Sequence, residues 1–214
     1  MSTKAFCICR RLLLPGLAVL LTLLLCLSAW LLADGDPSPL RATPATPDIR
    51  TNAGTDSFPF RCVVIDAGHG GEDGGAQSAD GLLEKDVNLS VALCLRDYLE
   101  AAGIPTVLTR TQDKLLYDPA GHYRGRKKTL DLAARLAIAQ AVPDSLFVSI
   151  HMNSFPQPQY SGMQVWYAPS DPASERVASC IQTQARLLAP ANRRRPQVAG
   201  SNSFLLDRLE TPAV

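Results

Sequence analysis

The feature that most constrains the fold of this chain is an unbroken apolar run at residues 62–66, which leads directly into a loop with glycines at positions 68, 70, 71, 74 and 75. An apolar run without alternation is typical of a strand covered on both faces, as in a parallel sheet. From there on, short apolar runs alternate with segments of helical periodicity, which favours crossover connections. The sequence therefore predicts a single α/β domain with a mostly parallel sheet over residues 60–214.

Further strands are predicted at residues 104–109, 145–151 and 162–167, with a short one at 204–206 and the start of another at 212–214. A three-residue strand is short for the end of a buried sheet. We therefore expect the domain to continue beyond Val214, and its C-terminal end to be missing from the printed sequence.

The helices are predicted from apolar residues that recur every three or four positions. The first follows the glycine loop, with Asp86 as its cap and Gly103 as its end, the second spans about residues 129–141, and Asp171 and Pro172 begin the third. The residues expected to face the core are Val87, Val91, Cys94, Leu95 and Tyr98 in the first helix, Leu130, Ala134, Ala137, Ile138 and Ala141 in the second, and Val177, Ile181, Ala185 and Leu188 in the third.

The N-terminus predicts a membrane anchor, because the uncharged residues 12–33 follow the basic residues Lys4, Arg10 and Arg11. As a helix this stretch would be about 33 Å long, enough for a hydrocarbon core of about 30 Å. The positive flank predicts that the rest of the chain is extracytoplasmic. The alternative for residues 1–33 is a cleaved signal peptide and a secreted protein, although no A-x-A site is present. Residues 34–59 are rich in Pro, Thr and Ala and predict a flexible linker.

Charge and cysteine content exclude two classes of protein. The formal net charge is only +1, so nucleic acid is not an expected partner. Three of the six cysteines lie within or before the apolar N-terminal segment, which leaves Cys62, Cys94 and Cys180 in the domain. Because this number is odd and all three lie on apolar faces, we expect free thiols packed in the core rather than a disulfide framework.

Two histidines fall where open α/β sheets place their functional sites, at the carboxyl ends of strands. His69 follows the first strand and His151 ends the strand at 145–151. Catalytic zinc takes three protein ligands of histidine and carboxylate type and keeps a fourth position open. Glu84, which follows the glycine loop, is the best-placed carboxylate, with Glu72 and Asp73 as competitors. The residues therefore predict one zinc ion held by His69, Glu84 and His151.

The spacing of the glycines in this loop does not match that of a nucleotide-binding motif. Gly68 and Gly70 fit the first two positions of G-x-G-x-x-G, but Asp73 stands at the third, and no Gly-Lys-Ser/Thr follows. We expect these glycines to turn the backbone tightly around a bound ligand.

Four blocks closely resemble the signatures of the zinc-dependent N-acetylmuramoyl-L-alanine amidases: VVIDAGHGGEDGGA at 63–76, LEKDVNL at 83–89, LTR at 108–110 and SIHMNS at 149–154. The resemblance implies a twisted, mostly parallel sheet flanked by helices, peptidoglycan as the substrate, and His69, Glu84 and His151 as metal ligands. With the membrane segment and residues 121–128, the layout looks most like the germination-specific members from spore formers.

The resemblance also implies that the general-base glutamate lies in a final strand beginning Pro-Ala-Val, which this chain reaches at residues 212–214. We expect that glutamate beyond Val214 and assign no catalytic base within the chain, since Glu210 belongs to the preceding turn. The 214 residues alone should therefore be unstable and nearly inactive. Asn153 could orient substrate or a loop, and Arg110 and Arg135 are expected to be structural ion-pair partners. The functional alternatives are a zinc exopeptidase or deacetylase acting on another amide, and an inactive wall-binding module.

Overall fold

The computed structural model describes residues 59–117, 125–152, 162–201 and 203–214. None of the helices in these ranges is long and apolar enough to cross a membrane. The predicted anchor at residues 12–33 and all but the last residue of the predicted linker at 34–59 lie outside the described residues.

Three parallel strands form the centre of the domain, in the order β2-β1-β3. They are β1 (Cys62–Ala67), β2 (Thr106–Leu108) and β3 (Ser145–Ile150). All six residues of β1 are buried, as an unbroken apolar run in a central strand requires. The prediction of a mostly parallel sheet is confirmed, although β2 is shorter than the predicted strand at 104–109.

The last residues of the chain connect this sheet to a second parallel pair, β4 (Trp166–Tyr167) and β5 (Gln197–Val198). Ala213 forms a parallel bridge with Phe147 of β3, and the amide of Ala168 donates to the carbonyl of Ala213 at 2.9 Å. Residues 212–214 therefore lie between β3 and the end of β4, which confirms that they are extended and paired. The predicted strand at 204–206 is wrong, because this stretch folds into turns, with Leu209 donating to the carbonyl of Leu205 at 3.0 Å.

Three helices connect the strands: α1 (Glu84–Ala101), α2 (Lys127–Gln140) and α3 (Pro172–Leu188). The predicted start of α3 is confirmed, since Asp171 caps it by accepting a hydrogen bond from the amide of Ala173 at 2.7 Å. The predicted cap of α1 is wrong. Asp86 lies inside the helix, which begins at Glu84 after an N-cap residue, Leu83, whose side chain makes no capping hydrogen bond.

The predicted inward faces of the helices are only partly correct. Leu95, Ile181 and Ala185 are buried as expected, but Tyr98 is 38% exposed and Leu188 is 41% exposed. Ala137 and Ala141 are also exposed. The prediction counted apolar residues alone, whereas the buried faces include polar side chains: Glu84 and Asn88 in α1, Arg135 in α2, and Ser174 and Gln182 in α3.

The core has two layers, one on each face of the sheet. Val63 and Ile65 of β1 pack in the layer that contains Leu95 of α1 and Ile181 of α3. Alternate residues of the same strand point to the opposite layer, which includes Ala139 of α2 and the turn residues Leu205, Leu206 and Leu209. The expected helices on both faces are thus confirmed. Cys62, Cys94 and Cys180 are free, as predicted, but only Cys62 is buried and the other two are half-buried.

Candidate metal centre

The parallel register of β1 and β3 brings the two predicted histidines together. Ala67 pairs with Ile150 at the carboxyl ends of these strands, so His69 and His151 follow at the same edge of the sheet. Their ring centroids are 4.9 Å apart with a T-shaped arrangement. Glu84, the first residue of α1, completes a cluster whose three ligand atoms lie within 4.8 Å of one another. The structure therefore assembles the three residues that the sequence predicted.

The Glu84 carboxylate lies between the two imidazoles. Its Oε1 is 3.2 Å from Nε2 of His69 and 3.0 Å from Nδ1 of His151, and it accepts the amide hydrogen of Met152 at 2.8 Å. Its Oε2 accepts the amide hydrogen of Ala76 at 2.8 Å. Burial raises the pKa of Glu84, but the hydrogen bonds from His151, Ala76 and Met152 and the nearby His69 outweigh it and lower this pKa to about 2. The side chain is therefore a carboxylate anion at neutral pH.

Asp73, which the sequence predicts as a competing ligand, instead contacts His69 at Nδ1, the ring nitrogen that does not face Glu84. Its Oδ2 lies 2.8 Å from Nδ1 of His69, and its Oδ1 accepts the amide hydrogen of Gly75 at 3.1 Å. Burial raises the pKa of Asp73, but these two hydrogen bonds and the charges of His69 and Lys128 lower it overall. An ionised carboxylate at Nδ1 orients the ring so that Nε2 points toward Glu84, whose Oε1 is 3.2 Å away.

Glu72, the other competing ligand, is not part of the cluster. It is 65% exposed and forms an ion pair with Lys127 of α2. Among the residues that the structure describes, the cluster able to hold a metal contains His69, Glu84 and His151, and not Glu72.

Two glycines of the loop leave room for the ligand side chains. A Cβ atom on Gly68 would overlap the imidazole of His151. Gly75 has a φ of +66°, and a Cβ there would lie 2.7 Å from His69 and 2.8 Å from Glu84. The expectation that the glycines turn the backbone around a site is confirmed at these two positions, where a side chain would displace the ligands themselves.

Arg135 is a buried ion-pair partner, as predicted. Its guanidinium donates to Asp66 at 2.6 Å and to Asp131 at 2.7 Å, and it is 2% exposed. It also donates to the carbonyls of Ala67 at 2.8 Å and His69 at 2.7 Å. Burial lowers the pKa of Arg135, but the charges of Asp66 and Asp131 outweigh it and raise this pKa. Arg135 thus holds the backbone that carries the first ligand.

Arg110 has a different role from the predicted ion pair. Its guanidinium is 1% exposed and donates to the carbonyls of Ala67 at 2.9 Å, Gly68 at 3.0 Å and Lys85 at 2.7 Å. Burial, followed by the nearby charge of Arg135, lowers the pKa of Arg110. The residue ties the loop after β1 to the first turn of α1, and so fixes His69 relative to Glu84.

Asn88 supports the site but was not identified from the sequence. It is fully buried, and its Nδ2 donates to the carbonyl of Gly68 at 3.1 Å. The available signal was its position four residues after Glu84, which places both side chains on one face of α1.

Three further candidates contribute nothing to the described centre. His122, the third histidine of the sequence, and Asn153, the proposed substrate-orienting residue, lie outside the described residues. Glu210 is exposed in the loop before Pro212 and is not part of the three-residue cluster.

The donor set fits zinc on chemical grounds. Two imidazole nitrogens and one ionised carboxylate oxygen converge on a common point, which is a set of protein ligands found in catalytic zinc sites. The His151 side chain is 41% exposed, so the cluster is open to solvent on one side. Closed structural zinc sites are instead surrounded by four protein ligands, most often cysteines.

Comparison with known proteins agrees with this geometry. Residues 63–214 match the Amidase_3 family, described as N-acetylmuramoyl-L-alanine amidase. The germination-specific N-acetylmuramoyl-L-alanine amidase of Bacillus subtilis is 38% identical over 126 residues, which are 59% of this chain and 53% of that protein. This chain therefore matches only about half the length of that relative.

Solved structures give the same result for the fold. The CwlD amidase of Clostridioides difficile, solved in complex with the GerS lipoprotein, has a TM-score of 0.66 and 32% identity, with 71% of this chain and 78% of that chain covered. AmiC2 of Nostoc punctiforme, another N-acetylmuramoyl-L-alanine amidase, has a TM-score of 0.57 and 30% identity, with 72% and 76% covered.

Proposed function

Because the chain belongs to the N-acetylmuramoyl-L-alanine amidase family, we propose that it is a zinc-dependent peptidoglycan hydrolase that cleaves the amide bond between N-acetylmuramic acid and L-alanine. The observation that carries the proposal is the convergence of His69, Glu84 and His151 at the carboxyl end of the sheet, on a side open to solvent.

His69, Glu84 and His151 would hold the zinc ion in this proposal. When bound there, zinc supplies Lewis acidity, which polarises the scissile carbonyl and lowers the pKa of water toward about 7. Glu84 offers a ligand oxygen that is already ionised, because the amides of Ala76 and Met152 stabilise its charge. Asp73 keeps the His69 ring in the orientation that presents Nε2.

The general base stays a prediction, which the pairing of Ala213 with Phe147 supports. Ala213 is level with Phe147 in a parallel pair, so residues two and three positions after Val214 would be level with Ile150 and His151. A glutamate there would stand beside the metal centre and could carry a proton to the leaving nitrogen. Sequencing the gene past Val214 tests this step, and the lack of a glutamate at either position would contradict it.

The proposal also covers where the enzyme acts. Peptidoglycan lies outside the cytoplasmic membrane, and residues 12–33, uncharged and preceded by basic residues, would hold the domain there as an anchor. Similarity to the germination-specific amidase of Bacillus subtilis supports a role in spore germination. Protease accessibility of the domain in intact cells, compared with lysed cells, would test the location.

Zinc binding is tested by metal analysis of the purified chain. We expect about one zinc ion per chain, and its loss in His69→Ala and His151→Ala. His122→Ala is the matched control, since it removes the third histidine of the sequence and none of the three proposed ligands. Unchanged zinc content in both ligand variants would refute the metal site.

The reaction is tested by digesting purified peptidoglycan with this chain and with a version extended by any residues that the gene is found to encode after Val214. We expect release of stem peptides with a free L-alanine amine, abolished by a chelator and restored by zinc. Release of acetate, or of amino acids from peptide ends, would instead indicate a deacetylase or an exopeptidase. Binding to peptidoglycan without any release by either version would indicate a wall-binding module.

A further inference from the structure

A cavity of about 350 Å³ opens beside His69, on the side of the metal centre that faces α2. This volume is within the range of about 300–1,000 Å³ that is typical of ligand sites. Leu115 and Tyr117 contribute to its lining, and charged residues of the glycine loop and of α2 form the rest. Because His69 lines the cavity as well, whatever occupies it lies next to the proposed reaction centre.

The acidic groups of the cavity wall are already bound to basic partners. Glu72 forms its ion pair with Lys127, and Asp73 lies 2.8 Å from His69. Asp131 accepts a hydrogen bond from Arg135 at 2.7 Å and another from the amide of Leu116 at 3.1 Å. The wall therefore has no carboxylate without a partner that would attract a cationic ligand.

Lys128 is the exception among the charged residues of this wall. It is exposed in the first turn of α2, a turn that contains no acidic residue. The structure shows no ion pair between Lys128 and any residue that it describes, although the charge of Lys128 contributes to the lowered pKa of Asp73 in the same wall. A lysine at the positive end of a helix is electrostatically unfavourable by itself, and an anion at the same place would relieve it.

We propose that this cavity binds the first residues of the stem peptide and that Lys128 contacts the free carboxylate of the second residue. The site would then distinguish a stem peptide with this free carboxylate from a stem peptide in which it is an amide. The inference rests on the proposed amidase function.

Substrate chemistry selects the peptide rather than the glycan as the occupant. Once the lactyl group of muramic acid is joined to L-alanine, the glycan side of the bond carries no charge. The next residue, a glutamate linked through its γ-carboxyl, keeps an α-carboxylate within about two residues, or about 7 Å of extended chain, of the scissile bond. That carboxylate is the nearest anion of the substrate to the metal centre.

The test measures binding of two soluble peptides to the zinc-loaded chain by calorimetry, so that it does not depend on turnover. Both begin with L-alanine followed by γ-linked glutamate, and they differ only in whether the α-carboxyl is free or amidated. We expect the free acid to bind about fivefold more tightly, as for an exposed ion pair. Lys128→Gln should remove this preference and Lys128→Arg should keep it. Arg186→Gln, in the exposed last turn of α3, is the control for loss of one positive charge.

The outcomes separate this inference from the proposed function. Equal binding of the two peptides by the wild type, or an unchanged preference in Lys128→Gln, overturns the role of Lys128, while release of stem peptides from peptidoglycan would still support the amidase. If neither peptide binds, the cavity is not a stem-peptide site. If stem peptides are also not released, the proposed function fails with it.

Discussion

Replacing Arg135 with methionine tests whether the buried guanidinium holds the loop that carries His69. Methionine has a similar length but no charge and no donors. The substitution removes the ion pairs to Asp66 and Asp131, and the hydrogen bonds to the carbonyls of Ala67 and His69. It leaves the fully buried carboxylate of Asp66 without its ion-pair partner.

Removing one partner of a buried ion pair costs about 3–5 kcal/mol. Asp66 keeps the hydroxyl groups of Thr109 and Ser149, both at 2.8 Å, and these partly compensate its charge. We therefore expect Arg135→Met to lower the free energy of unfolding by about 3 kcal/mol, a large part of the roughly 5–15 kcal/mol of a typical domain. The free His69 carbonyl should also weaken zinc binding about tenfold.

The assay is urea unfolding of the metal-free chain at pH 7, with Arg135→Met and Asp66→Asn measured separately and together. The asparagine removes the negative charge that the arginine compensates, so the double variant should be more stable than the sum of the single effects predicts, by about 1–3 kcal/mol. A loss below about 1 kcal/mol in Arg135→Met, or strictly additive effects, would refute the reasoning.

Three further predictions test other parts of the structure. Gly75→Ala should lower the free energy of unfolding in urea by about 2–5 kcal/mol, because its Cβ would lie 2.7 Å from His69. The control Gly103→Ala also has a positive φ, +79°, but no atom within 4 Å, and should cost only about 1–2 kcal/mol. Equal costs for the two variants would contradict the close approach at Gly75. Asp73→Asn should lower zinc affinity about 10- to 100-fold by metal competition, with little change in urea stability, and unchanged affinity would show that Asp73 does not orient its histidine. Asp171→Ala should destabilise the domain by about 0.5–2 kcal/mol in urea unfolding through loss of the α3 cap, and an unchanged midpoint would contradict this.

The fold was predictable where burial alone determines structure. The apolar run at β1, the parallel sheet and the start of α3 follow from hydrophobic pattern and capping chemistry. The helix faces were less predictable, because hydrophobic periodicity cannot identify a buried polar residue such as Gln182. It is fully buried and bonded to the backbone of residues 163 and 165, contacts between segments that are distant in sequence. The predicted strand at 204–206 is wrong because a short apolar run is compatible both with a strand and with a buried turn.

The metal ligands were predictable because parallel strands end at a common edge, and two histidines at such ends must approach each other. The supporting residues were less accessible to this reasoning. From the sequence, Asp73 is a competing ligand, because a carboxylate near a metal can either bind it or orient another ligand. The 2.8 Å contact between Asp73 and Nδ1 of His69 decides for the second role. The sequence predicts Arg110 as an ion-pair partner, but its partners are backbone carbonyls. Every residue has a carbonyl, so no sequence pattern identifies such partners.

The two buried arginines also explain how an irregular loop can carry a metal ligand with defined geometry. After β1 the chain leaves the sheet, so the carbonyls of residues 67–69 lose their ladder partners and need other donors. Arg110 and Arg135 supply these donors, and Asp66 and Asp131 balance the charge of Arg135. His69 can then be held at a φ of +62°, a conformation that a non-glycine residue adopts at a cost of about 1–3 kcal/mol. The buried network thus keeps His69 facing Glu84 and His151, so that the three side chains can act together as ligands of one metal ion.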